Sequence, residues 1–171
     1  MWLFRLTNYI AVLAFLTGCG FQPLYGRTEN FDIGSELASV EISVIEHRIG
    51  QQLRNFLLDR INPTGPPKFP AYTLDIRLSE TRQELAVKKS ALSTRVKLIL
   101  TANFGLKGKR QNSGFHLTGT SKMVTGYNIL TSDFANLIAE KDARTRAARE
   151  LSALITNRVA TFIQSVHRPE L

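Results

Sequence analysis

The stretch RVKLILTANFGL, residues 95–106, decides the fold because apolar side chains alternate with mostly polar ones. The even positions are apolar, namely Val96, Leu98, Leu100, Ala102, Phe104 and Leu106. The odd positions from 95 to 103 hold Arg95, Lys97, Ile99, Thr101 and Asn103. Successive side chains of a β-strand point to opposite faces of its sheet, so this period of two predicts a long strand with one buried face.

Further strands are predicted on both sides of this stretch. Before it, apolar residues recur at every second position from Leu74 to Leu78, and the segment continues toward Val87. After the loop KGKRQNSG (107–114), a threonine-rich strand is marked by Phe115, Leu117, Met123 and Val124. Gly119 in that strand indicates a bulge or the close approach of another group. A shorter strand near the N-terminus alternates through Val40, Ile42 and Val44.

An amphipathic helix is predicted between the short strand and the long ones. Its apolar residues recur at helical spacing, at Ile49, Leu53, Phe56, Leu57 and Ile61. Asn62-Pro63 ends the helix, because a proline ring cannot continue it. The segment NPTGPPKFP (62–70) that follows is rich in proline and predicts a loop.

A second, longer helix is predicted from about Ser132 to His167. Its apolar stripe consists of Phe134, Leu137, Ile138, Ala148, Leu151, Ile155, Val159, Phe162 and Val166. In its charged middle, acidic residues precede basic ones by four positions, in the pairs Glu140–Arg144 and Asp142–Arg146. Such pairs predict weak ion pairs on a solvated helix face.

These elements predict the α+β class. The expected architecture is a two-layer sandwich, in which a four-stranded, mostly antiparallel sheet packs on two helices in the order β-α-β-β-β-α. Both helices would cover one face of the sheet. The other face would carry the odd-numbered residues of the long strands.

The first residues have the layout of a secretory signal, with Arg5, the apolar run YIAVLAFL (9–16) and small residues after it. This run is far shorter than the roughly 20 residues that a helix needs to span a bilayer. The segment LTGC, ending at Cys19, resembles the bacterial lipobox, in which the thiol receives a diacylglyceryl group and the amine freed by cleavage is acylated. We therefore predict a covalent lipid at Cys19, the only cysteine in the chain, and no other cofactor.

This prediction divides the chain into three parts. Residues 1–18 are a signal peptide, residues 19–36 an acylated tether, and residues 37–171 a single domain. Gly20 follows the cysteine, whereas an aspartate there would resemble an inner-membrane retention signal. The expected location is therefore the outer membrane, with the protein lipid-anchored on the periplasmic side.

The positive charge of the chain is concentrated in the second half of the predicted sheet. The formal net charge is +8, and the 48 residues between Glu84 and Asp133 contain no acidic residue. They hold eight basic ones: Lys88, Lys89, Arg95, Lys97, Lys107, Lys109, Arg110 and Lys122. Lysine and arginine bind phosphate groups well. We take these eight as candidate residues for binding lipopolysaccharide or another anion; the alternative is a solubilising face whose lysines hinder edge pairing.

Several other classes of function are disfavoured. A basic sheet region can bind nucleic acid, but an exported domain meets little of it, so no nucleic acid is expected. The histidines, His47, His116 and His167, occupy unrelated positions, and no group of residues has metal-ligand spacing. No nucleophile elbow or phosphate loop occurs. We therefore expect neither an enzyme nor a metal site.

The sequence resembles the LptE family of lipopolysaccharide-assembly lipoproteins, in its alphaproteobacterial branch. The start of the mature chain, CGFQPLYG (19–26), resembles the start motif of that family. The segment VTGYNILTSDFANLIAEKDARTRAARELSALI (124–155) resembles its final strand, turn and long helix. The order of elements is similar over nearly all of the mature chain.

The resemblance implies a function. Members of the family plug the outer-membrane β-barrel LptD, assist its assembly, and help to deliver lipopolysaccharide, which they also bind. Arg95, Lys97, Lys107, Lys109 and Arg110 are our best candidates for phosphate contacts, and this choice rests on charge and not on the family. The alternatives are a lipoprotein that binds phospholipid and a scaffold for another envelope complex.

Overall fold

In the computed structural model, the alternating stretch lies in the centre of a four-stranded sheet. The structure describes residues 32–85, 94–109 and 116–167. Seven elements follow one another: α1 (Ile33–Ala38), β1 (Val40–Ile42), α2 (His47–Ile61), β2 (Tyr72–Leu85), β3 (Thr94–Gly108), β4 (His116–Ile129) and α3 (Asp133–His167). The predicted α+β sandwich and its element order are confirmed, with α1 as an additional helix.

The strands lie in the order β1-β2-β3-β4, so the sheet follows the chain. β1 runs parallel to β2, whereas β2–β3 and β3–β4 are antiparallel. Even-numbered residues of β3 face the helices, and Leu98, Leu100, Ala102 and Leu106 are fully buried there. The period of two in the sequence therefore predicted the buried face of β3 correctly.

The long helix α3 packs its second half against the sheet and α2. Leu151, Ile155, Val159 and Ile163 are fully buried in the main core cluster, together with Leu53 and Leu57 of α2. None of the helices in the part of the chain that the structure describes is long and apolar enough to cross a membrane.

The first turns of α3 differ from the prediction. Phe134, Leu137 and Ile138 are exposed to 74%, 62% and 48%, although the sequence placed them in the buried stripe. Ala143 packs on Val96, Leu98 and Tyr127 instead, with Ala139 partly buried beside it. More than one set of apolar residues has helical spacing in these turns. The set that contains the small alanines is the one that faces the sheet, because alanines let the helix approach the sheet closely.

The helix α1 begins inside the segment that the sequence analysis assigned to the tether. Asp32 caps it by accepting a hydrogen bond from the backbone N–H of Gly34 at 3.0 Å. Ile33 and Leu37 are buried in the main core. The domain core therefore includes residues before 37. Six residues with weak local preference become helical because the core takes up their apolar side chains.

Gly119 of β4 marks a close approach, as its sequence context indicated. A Cβ atom there would lie 2.8 Å from the ring of Phe104, which stands on the neighbouring strand directly opposite. Phe104 is 5% exposed, so the glycine leaves room for the tip of this buried ring against the strand. The same two residues line a crevice between β4 and α3.

Candidate anion-binding face

The face of the sheet that points away from the helices, here called the open face, is the candidate functional surface. No element of the described residues packs on it. It carries the odd-numbered residues of β2 and β3 and the even-numbered residues of β4, which oppose each other in the register. Its cations are Arg77, Arg95, Lys97, Lys107 and Lys122, and Asp75 is the only acid that these three strands place on this face.

The predicted basic residues lie at both ends of this face. Arg95 and Lys97 are at the end of β3 near the start of α3, whereas Lys107 is ten residues further along, or about 34 Å. Lys122 lies between them, opposite Thr101. The structure therefore separates the best candidates into an Arg95–Lys97 pair and a distant Lys107.

The Arg95–Lys97 pair lies in surroundings without acid on its face. The directly opposed residues are Leu85 and Gln83 on β2, and Asn128 and Gly126 on β4. The guanidinium of Arg95 lies over Gly126, where a Cβ atom would be 3.2 Å from its Nε atom. The glycine thus provides room for the exposed side chain of Arg95.

Lys109 forms an ion pair with another of the described residues. Its Nζ lies 2.5 Å from Oε2 of Glu41, on the edge strand β1. The pair links two segments that are 68 residues apart in sequence. Both side chains are about half exposed, so the pair contributes little stability. A phosphate at Lys109 would have to compete with this carboxylate. Arg110, Lys88, Lys89 and Cys19 lie outside the described residues.

A concavity of about 940 Å³ lies at the Lys107 end of the open face. Gly105 is in its floor, and a Cβ there would meet only the carbonyl of Leu117, at 3.8 Å. Its walls carry cations and acids together: Arg77, Lys107, Asp75 and Glu46. This mixture of positive and negative side chains suits a polar ligand such as a carbohydrate better than a highly charged anion. The concavity and the Arg95–Lys97 pair are therefore distinct parts of the face.

Arg77 is the member of this face that sequence reasoning missed. It stands on β2 opposite Asn103, lines the concavity and lies outside the acid-free stretch. The signal that would have found it is its odd position within the alternation of β2. Reasoning from charge along the chain passed over it because Asp75 is two residues away.

Within the described residues, no group of three or more His, Cys, Asp or Glu side chains is placed to hold a metal ion.

The fold is one that occurs among bacterial lipoproteins. A lipoprotein structure from Caulobacter crescentus CB15 matches with a TM-score of 0.65 and 24% identity, over 78% of this chain and 96% of that one. The rare lipoprotein B of Shewanella oneidensis matches with a TM-score of 0.53 and 10% identity, over 75% and 98%. These likenesses establish the fold. No family model matches the sequence, and no curated protein is similar to it.

Proposed function

We propose that this chain is a non-enzymatic outer-membrane lipoprotein of the LptE type. In this proposal Cys19 carries N-acyl and S-diacylglycerol chains, and the folded domain plugs and helps to assemble an LptD-type β-barrel that delivers lipopolysaccharide. The observation that supports it most is the shared fold with the Caulobacter and Shewanella lipoproteins, found behind a lipobox-like segment.

The open face is compatible with a plug. The part of it around Thr101, Asn103, Thr118 and Thr120 is polar, and the apolar pair Ile99 and Val124 lies beside that part. The lumen of a wide membrane barrel is polar and wet, so such a face can line it without losing hydration. The helix α3 has 35 residues, which corresponds to a length of about 52 Å and is sufficient to reach through the full depth of a membrane barrel.

The test of this proposal is the identity of what co-purifies with the full-length protein. A C-terminal tag, mild detergent and purified outer membranes are expected to yield a stoichiometric large β-barrel protein. Recovery of the lipidated protein alone would contradict the plug and favour a phospholipid-binding lipoprotein. Recovery with inner-membrane proteins would favour a scaffold of another complex.

Lipopolysaccharide binding through the open face is tested by neutralising its cations. The quadruple variant R95Q/K97Q/K107Q/K122Q should bind lipopolysaccharide about tenfold more weakly, because ionic contacts to phosphates are lost. The salt dependence of binding should flatten at the same time. The measurement is a titration of fluorescent lipopolysaccharide at low and high salt.

A matched control separates the open face from net charge. The variant R48Q/K68Q/K141Q/R146Q also removes four charges, but these side chains are exposed on helices and on the loop before β2. This control variant should bind lipopolysaccharide almost as tightly as the unmodified protein does. Equal weakening in both variants would mean that the open face has no special role.

A further inference from the structure

Among the described residues, no strand lies beside the outer edge of β4, so main-chain groups along this edge have no sheet partner. Lys109 donates its backbone N–H to the carbonyl of Ala71, so the odd-numbered residues of β3 point their polar groups toward β2. The even-numbered residues of β3 then bond to the odd-numbered residues of β4. The N–H and C=O groups of even-numbered β4 residues consequently point outward, from His116 to Asn128.

This edge is nearly bare among the described residues. Arg158 of α3 donates to the carbonyl of Thr120 at 2.8 Å, and this bond confirms that the even-numbered groups point outward. The free part of the opposite edge, on β2, has charged side chains at Glu80, Arg82 and Glu84, which hinder edge pairing. By contrast, Lys122 is the only lysine, arginine, aspartate or glutamate among the 14 residues of β4.

A mostly apolar crevice of about 360 Å³ lies beside this edge, between β4 and the end of α3. Its lining includes Phe104, Leu117, Gly119, Thr161, Phe162 and Ser165. A strand added to β4 would alternate its side chains between the open face and the helix side. One of its helix-side residues, opposite Gly119, would then enter the crevice.

The charge around the edge indicates what kind of strand fits. Residues 116–129 and 151–167 contain Lys122 and Arg158 but no aspartate or glutamate. A second copy of the chain would bring the same positive charges to the interface, whereas an acidic segment would complement them. Lys122 and Gly119 are three positions apart and face opposite sides of the sheet.

We propose that the outer edge of β4 binds an extended acidic segment of another protein by strand addition. Main-chain hydrogen bonds would supply affinity, and the crevice would supply specificity. The segment carries an apolar residue for the crevice and, three positions away, an acidic residue for Lys122. In the barrel partner of the proposed function, on which this placement rests, such a segment lies in a loop or a chain terminus, because the strands of a closed barrel are already paired on both sides. The edge, its charge and the crevice are features of this chain and do not depend on that partner.

Site-specific photocrosslinking in native membranes tests the proposal with the full-length protein. Benzoylphenylalanine at position 118 or 124 on the outer edge should link to one segment of a different protein, at residues six positions apart. That segment should contain an apolar residue and an acidic residue three positions from it. Position 101 is the control, because Thr101 lies on the same face in β3, between β2 and β4.

Variants of the edge and the crevice complete the test. T118P removes one outward backbone N–H and should lower the crosslinking yield at position 124 about tenfold. T118V keeps this N–H and should leave the crosslinking yield unchanged. S165F fills the crevice from α3, should also lower the yield, and remains informative if T118P does not fold. The proposal is overturned by links to a second copy, to residues 20–31 of the same chain or to residues without the six-residue spacing. It is also overturned by a yield no higher than at position 101, or by undiminished yields in folded variants.

Discussion

Replacing Cys19 with serine should release nearly all of the protein from the membrane. Under the proposed function, this residue carries three acyl chains, and each buried methylene adds about 0.8 kcal/mol of membrane affinity. A hydroxyl does not replace the thiol in forming the thioether, so the serine variant would lack all three chains. The measurement is membrane fractionation, with metabolic labelling by a radioactive fatty acid.

Two variants of the next residue serve as controls. G20S should remain labelled and in the outer membrane. G20D should also remain labelled but accumulate in the inner membrane, because aspartate after the cysteine resembles a retention signal. A C19S protein that stays in the membrane fraction, or an unlabelled natural protein, would contradict the lipid anchor.

The fold could be predicted largely from β3 because a period of two over a long stretch is typical of a strand with one buried face. The helix α2 was similarly predictable from the sequence, since its apolar stripe ends at Asn62. This asparagine is 4% exposed and donates to the carbonyls of Ala38 and Val40, at 3.1 Å each. It thus holds the end of α2 against α1 and β1. Long-range bonds of this kind leave no local signal in the sequence.

The candidate site was less predictable because charge along the chain is not charge in space. Arg95 and Lys107 belong to one strand, yet the length of that strand separates them. Arg77 is absent from the acid-free stretch but shares the open face through the register of β2 and β3. Glu41 is distant in sequence but pairs with Lys109. Faces can be predicted from alternation, whereas partners across strands require the register.

The ion pairs predicted on α3 form, but one of them is not on a solvated face. Arg144 contacts Glu140 at 2.6 Å and also Glu80 of β2 at 2.8 Å. Arg82 contacts Glu140 at 3.0 Å and Tyr127 at 3.1 Å. The interpretation of Glu140–Arg144 as a weak surface pair was therefore wrong. These residues connect β2 to α3 where the core is reduced to a small cluster around Ala143.

The position of Arg144 between two carboxylates has an electrostatic consequence. Its hydrogen bonds to Glu80 raise the pKa of its guanidinium, an effect that burial opposes and the nearby charges of Glu80 and Glu140 reinforce. A raised pKa in the folded state means that this stabilisation is fully present at neutral pH. It is lost only as the pH rises through the folded-state value, in strongly alkaline solution.

Replacing Arg144 with methionine should therefore destabilise the protein by about 2 kcal/mol, because Glu80 loses its partner and Glu140 keeps only Arg82. The three side chains of the Arg144 contacts are 16% to 31% exposed, so the expected loss is below that of a fully buried pair. The measurement is the urea midpoint of the full-length protein in detergent. The double variant E80Q/R144M should cost less than the sum of the single changes.

Arg146 provides the matched control on the same helix. It pairs with Asp142 at the same spacing of four residues, but both side chains are more than half exposed. R146M should lower the free energy of unfolding by only about 0.3 to 0.5 kcal/mol, since solvent weakens such a pair. Similar losses in R144M and R146M would show that the contacts of Arg144 with β2 add nothing. A large loss in R144M alone, with coupling to Glu80, would mean that this cluster of charges holds the end of the sheet on the helix.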